Sequence, residues 1–340
     1  MRPNLGRAAL GQAMLNYTIR RLLQAVPLLI FISIILFTIL HYMPGGPLAP
    51  YMQNPHITAA DIARLKHNFG LDRPVWIQYV SWLGKYVMGD WGWSTMNSTT
   101  VREAIGERLP ATLELMGISY AVAISLGLLM GILAAVRPYS LIDYFVTTFA
   151  FFGFSMPVFW LALMLQMMFS VHGIHWQAFG YALDFNLPSA GATSTEGGSF
   201  SDRVAHLVLP VMTLALLQLA NWSRFTRASM QEVLHTEYMR TAAAKGLPFG
   251  RILFKHGLKN ALMPVVTITA LALPGLFSGA IVTESIFAWP GMGRLFYTAL
   301  QQQDFSLLMA FLVISAVLVV VFNLVADLCY GWLDPRVKYD

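Results

Sequence analysis

Charge is scarce in this chain: 11% of its 340 residues are Asp, Glu, Lys or Arg, against 56% hydrophobic. Soluble domains carry roughly 25% charged residues, so a chain of mean hydropathy +0.58 falls outside that class and reads as a polytopic membrane protein. Cysteine is nearly missing. Cys329 stands alone, which excludes an internal disulfide framework and any multi-cysteine metal centre. His172 and His175 are too few ligands for a metal site. The phosphate-loop pattern Gly-x-x-x-x-Gly-Lys-Ser/Thr is absent: Gly84-Lys85 is followed by Tyr86 and lacks the upstream glycine. Nucleotide hydrolysis would therefore have to come from another polypeptide. Carboxylates are missing from the middle of the long apolar runs, because Glu114, Asp143, Glu284, Asp304 and Asp327 all fall at run ends. That disfavours an ion-coupled secondary transporter, which needs buried charge at mid-membrane. A membrane-bound enzyme is disfavoured because no nucleophile, base and orienting group gather at one depth.

What the chain has is long apolar runs. Leu22 to Leu40, Leu115 to Val136, Tyr144 to Val171, Leu207 to Ser223, Ala261 to Thr283 and Phe305 to Ala326 carry no charge. At about 1.5 Å per residue each is long enough, with tilt and interfacial ends, to span a bilayer. Six spans place both termini on one side. The basic residues choose which: with the termini inside, inner segments hold 14 Lys and Arg, and the short outer segments hold only Arg203 and Arg294. The long interlude after the first span weighs little in this rule, so the termini are expected in the cytoplasm. No small-residue cleavage site follows Leu40, and the first run is expected to stay as an uncleaved span.

Between the first two spans lies a polar interlude. Thr58-Ala59-Ala60-Asp61 has the form of a capping box, with Ile62, Leu65 and Phe69 on one face and Gly70 as a stop. A second helix starts at Pro74, and Val75, Trp76, Tyr79, Leu83 and Tyr86 give it an aromatic face suited to the outer interface. The Gly/Ser/Thr-rich patch from Gly191 to Ser201 reads as a flexible outer loop.

The most informative stretch is Glu237-Tyr238-Met239-Arg240-Thr241-Ala242-Ala243-Ala244-Lys245-Gly246. Thr236 is placed to cap a helix, Glu237 favours its positive end, and the alanines propagate it and leave a flat face. Gly246 can take the left-handed conformation that ends it, and Pro248 suits the start of a second helix. With 7 basic residues from 224 to 259 against Glu232 and Glu237, the loop carries +5, equal to the net charge of the whole chain. A DNA-binding helix-turn-helix would share this shape, but a helix tethered between two spans could hardly enter a groove. Attraction to anionic lipid would explain the charge and not the ordered alanines.

These residues resemble the cytoplasmic signature loop of ABC importer permeases, in the variant carried by the peptide and nickel branch. Against the broader Glu-Ala-Ala-x-x-x-Gly pattern, set on Gly246, Arg240 replaces the glutamate and Thr241 the first alanine, and only Ala242 and Gly246 are kept. Phe69-Gly70-Leu71-Asp72-Arg73-Pro74, Gly89-Asp90-Trp91-Gly92, Glu284 through Gly293, and Tyr330 through Arg336 are similar to other stretches of the same family.

The resemblance implies an all-α integral membrane protein with six transmembrane helices, of the type I ABC importer permease fold. Its parts would be a cytoplasmic N-terminus (1–21), a first helix (22–40), an extracytoplasmic scaffold (41–106), a transmembrane domain (107–331) with a coupling loop at 224–260, and a cytoplasmic tail (332–340). The scaffold could sit near a binding protein or serve as a lid packed on the bundle. The resemblance implies, as partners, a second homologous permease, two ATP-binding subunits, an extracytoplasmic substrate-binding protein and membrane lipid, and no nucleic acid. No cofactor is expected in this chain, since ATP and Mg would sit on the partner subunits.

In the loop, Ala242, Ala243 and Gly246 are expected to pack closely in the partner's groove, with Glu237, Arg240 and Lys245 as a polar rim beside Thr241 and Ala244. Ser155, Met156, Pro157, Gln166, Gln218, Pro274 and Gly275 are polar or helix-loosening positions inside spans. They could line or hinge a conduit, or simply kink packed helices. The departure from the broader pattern favours the peptide branch, so the resemblance implies a permease subunit of an ATP-driven importer of di- or oligopeptides, with nickel chelates or another small solute as the alternative cargo.

Overall fold

The computed structural model describes residues 4–52, 56–171, 173–178, 181–194, 198–272 and 280–333. In chain order its principal elements are α1 (Asn4–His41), α2 (Ala59–Asn68), α3 (Val75–Val87), β1 (Trp93–Ser94), β2 (Thr99–Thr100) and α4 (Val101–Val136). These are followed by α5 (Leu141–Ser155), α6 (Val158–Gln166), β3 (Ile174–Ala178), β4 (Tyr181–Phe185), α7 (Phe200–Leu234) and α8 (Glu237–Ala244). The remainder is α9 (Lys259–Ala272), α10 (Ile281–Ile286), α11 (Met292–Gln301) and α12 (Phe305–Leu333).

Four of these helices are long and apolar enough to cross a membrane: α1, α4, α7 and α12. They contain the expected runs 22–40, 115–136, 207–223 and 305–326. The run from Tyr144 to Val171 is not one straight span. α5 and α6 meet at a bend of 103° and together can form a fifth crossing. Pro157 is the cause: it lacks an N–H and disfavours the helical conformation at the residue before it, and Met156 is extended at ψ 130°. The run 261–283 begins in α9, and its residues 273–279 lie outside the described residues.

The chain divides into two compact units, 1–110 with 291–340, and 111–290, with the boundary inside α4 at Pro110. In the first unit α1 lies along α12, and Phe37, Leu40, Val101, Ile105, Leu295, Leu307 and Leu308 form the core. The polar interlude packs on this core. Thr58 and Asp61 close a reciprocal capping box at the start of α2, as the sequence predicts, and the donated hydrogen bonds hold the Asp61 carboxyl below its usual range. Much of the aromatic face of α3 packs within the chain. Tyr79 and Trp82 meet Phe37 edge-on and tilted, Tyr86 stacks on Trp91, and the Tyr86 hydroxyl donates to the Ala310 carbonyl at 3.2 Å. Val75 and Trp76, the latter 69% exposed, keep the outward position. Below α3, the buried Asp304 carboxylate accepts from the Ser94 hydroxyl at 2.7 Å and from the amides of Met96 and Leu307, pinning the β1–β2 ribbon to the start of α12.

In the second unit α7 is the hub, with α5, α6 and α9 packed against it. α4 also lies close: a Cβ at Gly131 would come within 2.6 Å of Thr226 Cβ and 2.7 Å of the Ser223 carbonyl, so any side chain there would force the helices apart. Between α6 and α7 lies an antiparallel β3–β4 hairpin, paired from Ile174–Phe185 to Ala178–Tyr181. The 191–201 patch is tied down at its described residues. Ser194 donates through its amide (2.8 Å) and hydroxyl (2.6 Å) to Asp202, and Ser199 caps α7. His172 lies outside the described residues, and among those described no group of three or more metal-ligating side chains gathers.

Candidate functional site

α7 ends at Leu234, and two residues later the chain folds back into a helical hairpin. Glu237 lies in the first turn of α8, where a carboxylate complements the free backbone amides. Thr236 occupies the N-cap with φ −74° and ψ 153°, but its hydroxyl donates backwards to the Val233 carbonyl at 2.6 Å and makes no cap bond. This corrects the expected role. α8 stops as predicted: Gly246 is left-handed at φ +73°, and its amide bonds the Ala243 carbonyl at 2.9 Å. Pro248 then starts one helical turn, Phe249–Arg251, which runs through a π-helical segment, Ile252–Leu258, into α9. Such wide turns are uncommon and concentrate at functional sites.

The hairpin has an inner and an outer side. Met239 (4% exposed) and Ala242 (8%) turn inward onto Ile252, Leu247 and the end of α7. Ala242 therefore cannot be an outward contact as expected; it sets how closely α8 approaches the second arm. Outward lie Glu237, Arg240, Thr241, Ala243, Ala244, Lys245 and Gly246, all exposed. Arg240 reaches Glu237 at 2.9 Å, an exposed pair of small energetic weight. The Thr241 hydroxyl bonds the Glu237 carbonyl, and Asn260 donates to the Tyr238 hydroxyl at 2.9 Å, joining the two arms. Sequence reasoning missed Phe249 (57% exposed) and Phe254 (64%), large apolar side chains on the second arm beside Arg251 and Lys255. The signal was present as two aromatics five residues apart in an otherwise basic run.

Among the described residues, the expected pathway positions each have their own partners or surroundings. The Ser155 hydroxyl bonds back to the Phe151 carbonyl, and Ser155 and Pro157 are exposed at the bend. Gln166 donates to the Ser189 carbonyl at 2.7 Å and the Ile286 carbonyl at 3.4 Å, so it fastens α6 to α10. Gln218 meets the Tyr120 hydroxyl at 3.5 Å, and Tyr120 in turn donates to the Ala272 carbonyl, linking α7, α4 and α9. Pro274 and Gly275 lie outside the described residues.

The chain is matched over residues 127–339 by the binding-protein-dependent transport system inner membrane component family, and over 14–116 by the N-terminal component of the same systems. It is similar to the oligopeptide transport system permease protein AppB of Bacillus subtilis, 44% identical over 96% of this chain and 100% of that protein. It is also similar to the dipeptide transport system permease protein DppB of Escherichia coli, 38% identical over 96% of this chain and 99% of that one. The di/tripeptide transport system permease protein DppB of Pseudomonas aeruginosa is 37% identical over the same shares. With long apolar helices and a match over most of its length, the chain belongs to the inner membrane permease components of binding-protein-dependent transport systems, and is a transport protein rather than an enzyme.

Proposed function

We propose that this permease forms, with a second similar permease, the pathway of an ATP-driven importer of short peptides delivered by an extracytoplasmic binding protein. Both termini and the 237–260 hairpin would face the cytoplasm, in line with the 14 basic residues on that side. Two ATP-binding subunits would supply the hydrolysis, with ATP and Mg held on them. Peptides are favoured as the cargo because the relatives named above are peptide permeases matched over nearly their whole length.

One observation carries the reading: a short helix buries Met239 and Ala242 on its own hairpin and leaves Ala243, Ala244 and Gly246 outward, with Phe249 and Phe254 beside them. Small outward residues let another helix or loop approach the backbone, and exposed aromatics flanked by basic side chains are typical anchors of a partner surface. Closure of the ATP-binding subunits around nucleotide would move the hairpin, and α7, which runs into it, would tilt. Swinging a two-state bundle from 1:99 to 99:1 takes roughly 5.5 kcal/mol of differential binding, within reach of a firmly seated hairpin.

The test is co-purification of the ATP-binding subunits with Ala243→Trp. Loss of those subunits from a protein that still inserts is the expected result; retained subunits would overturn the reading.

A further inference from the structure

Just before the hairpin, α7 holds three other helices within less than two turns. Ser223 and Thr226 receive Gly131 of α4. Arg224 lies over the Phe151 ring of α5 at 5.2 Å, and Arg227 grips Asp143 in the first turn of α5. The Ser229 hydroxyl donates to the Ala261 carbonyl of α9 at 2.8 Å.

The Asp143–Arg227 pair is the most constrained part of this collar. The Asp143 side chain is 4% exposed, and four donors converge on its carboxylate. They are Arg227 Nε at 2.5 Å, Arg227 Nη2 at 2.7 Å, the Tyr139 amide at 2.9 Å and the Thr147 hydroxyl at 3.4 Å. The two guanidinium contacts form a fork, which fixes orientation as well as distance. The Tyr139 backbone is left-handed at φ +59°, a conformation uncommon for a tyrosine, and its amide is aimed at Asp143. The link between α4 and α5 is thus shaped around this carboxylate. Burying an ion pair is a poor route to stability, since well-packed apolar residues do as well or better. What such a pair supplies is a fixed register between the two elements that carry it.

We infer that Asp143 and Arg227 are positioning residues of transport, through which movement of the hairpin at the end of α7 is passed to the bent α5–α6 pair. The inference rests on the hairpin being the docking element. α7 moves with the hairpin because the helix is continuous to Leu234, and α5 moves with α7 because the fork admits no slip. A lone apolar contact would let α5 lag.

The experiment compares peptide taken up per ATP hydrolysed in proteoliposomes holding the complete importer. Asp143→Asn and Arg227→Gln are expected to keep the ATP-binding subunits bound and ATP hydrolysis near the wild-type rate. Uptake per ATP should fall about tenfold, the size of effect typical of coupling residues. The exchanged pair, Asp143→Arg with Arg227→Asp, is expected to recover part of the ratio. If neither single variant accumulates in the membrane, Arg227→Lys replaces them, keeping the charge and losing the fork, with the same ratio as the readout.

A wild-type ratio in these variants would overturn the inference. So would loss of the ATP-binding subunits, because the pair would then merely hold the hairpin in shape. Ala243→Trp serves as the separate control: if it leaves the ATP-binding subunits bound, the docking reading fails whatever Asp143 does.

Discussion

α3 and α8 are both short amphipathic helices outside the long spans, and the difference between them says what each is for. α3 packs most of its aromatic side chains within the chain: Tyr79, Trp82 and Tyr86 meet Phe37, Trp91 and the Ala310 carbonyl. α8 has buried only Met239 and Ala242, and presents alanines, a glycine and a charged rim outward. A helix that packs its aromatic side chains on its own protein is architecture, even with Trp76 left outside. One that keeps its flattest face outward, on a hairpin braced by Tyr238–Asn260 and capped by a left-handed glycine, fits the proposed docking role.

The contrast can be broken by substitution, and the largest effect is expected at Ala243. Ala243→Trp should abolish peptide uptake while leaving thermal stability of the permease within about 0.5 kcal/mol of wild type, as for other exposed sites. Trp82→Ala in α3 should do the reverse, costing about 2–3 kcal/mol in detergent unfolding through lost aromatic packing and leaving the ATP-binding subunits bound. Ala242→Trp separates the two sides of α8: overpacking against Ile252 should cost about 1–3 kcal/mol, so this neighbour of Ala243 is expected to fail by destabilising the hairpin. The smallest difference lies between the two cap threonines. Thr58→Ala should lose about 1 kcal/mol of local stability at α2 because a true capping box is removed, read as faster amide exchange in its first turn. Thr236→Ala should cost less, because its hydroxyl satisfies no amide of α8.

The local chemistry of the chain was legible in its residues wherever a short-range rule decides. The Thr58 and Asp61 box, the stop at Gly246 and the restart at Pro248 each depend on neighbours within four residues. Thr236 shows the limit of that rule: its identity and backbone suit a cap, but the Val233 carbonyl competes for the same hydroxyl. The outward or inward sense of Ala242 depends on where Ile252 arrives after the turn, which no periodicity in eight residues reveals. The break in the third run was half-legible. Pro157 was visible as a loosening position, while the size of the bend depends on how α5 and α6 separately pack against α7. Asp143 and Arg227 are 84 residues apart, and in the sequence each looks like an ordinary charge at a span end. Only folding makes them one site.

The central claim, that α8 offers its Ala243 face to an ATP-binding subunit and keeps its Met239 face for itself, is tested most directly by site-specific disulfide or bifunctional thiol cross-linking. Cys329 would first be replaced by serine, and single cysteines then placed at 239, 242, 243 and 244 in the assembled importer. Cross-links to the ATP-binding subunit are expected from 243 and 244 and none from 239 and 242. Equal cross-linking from all four positions, or cross-linking from 239 and 242 alone, would contradict it.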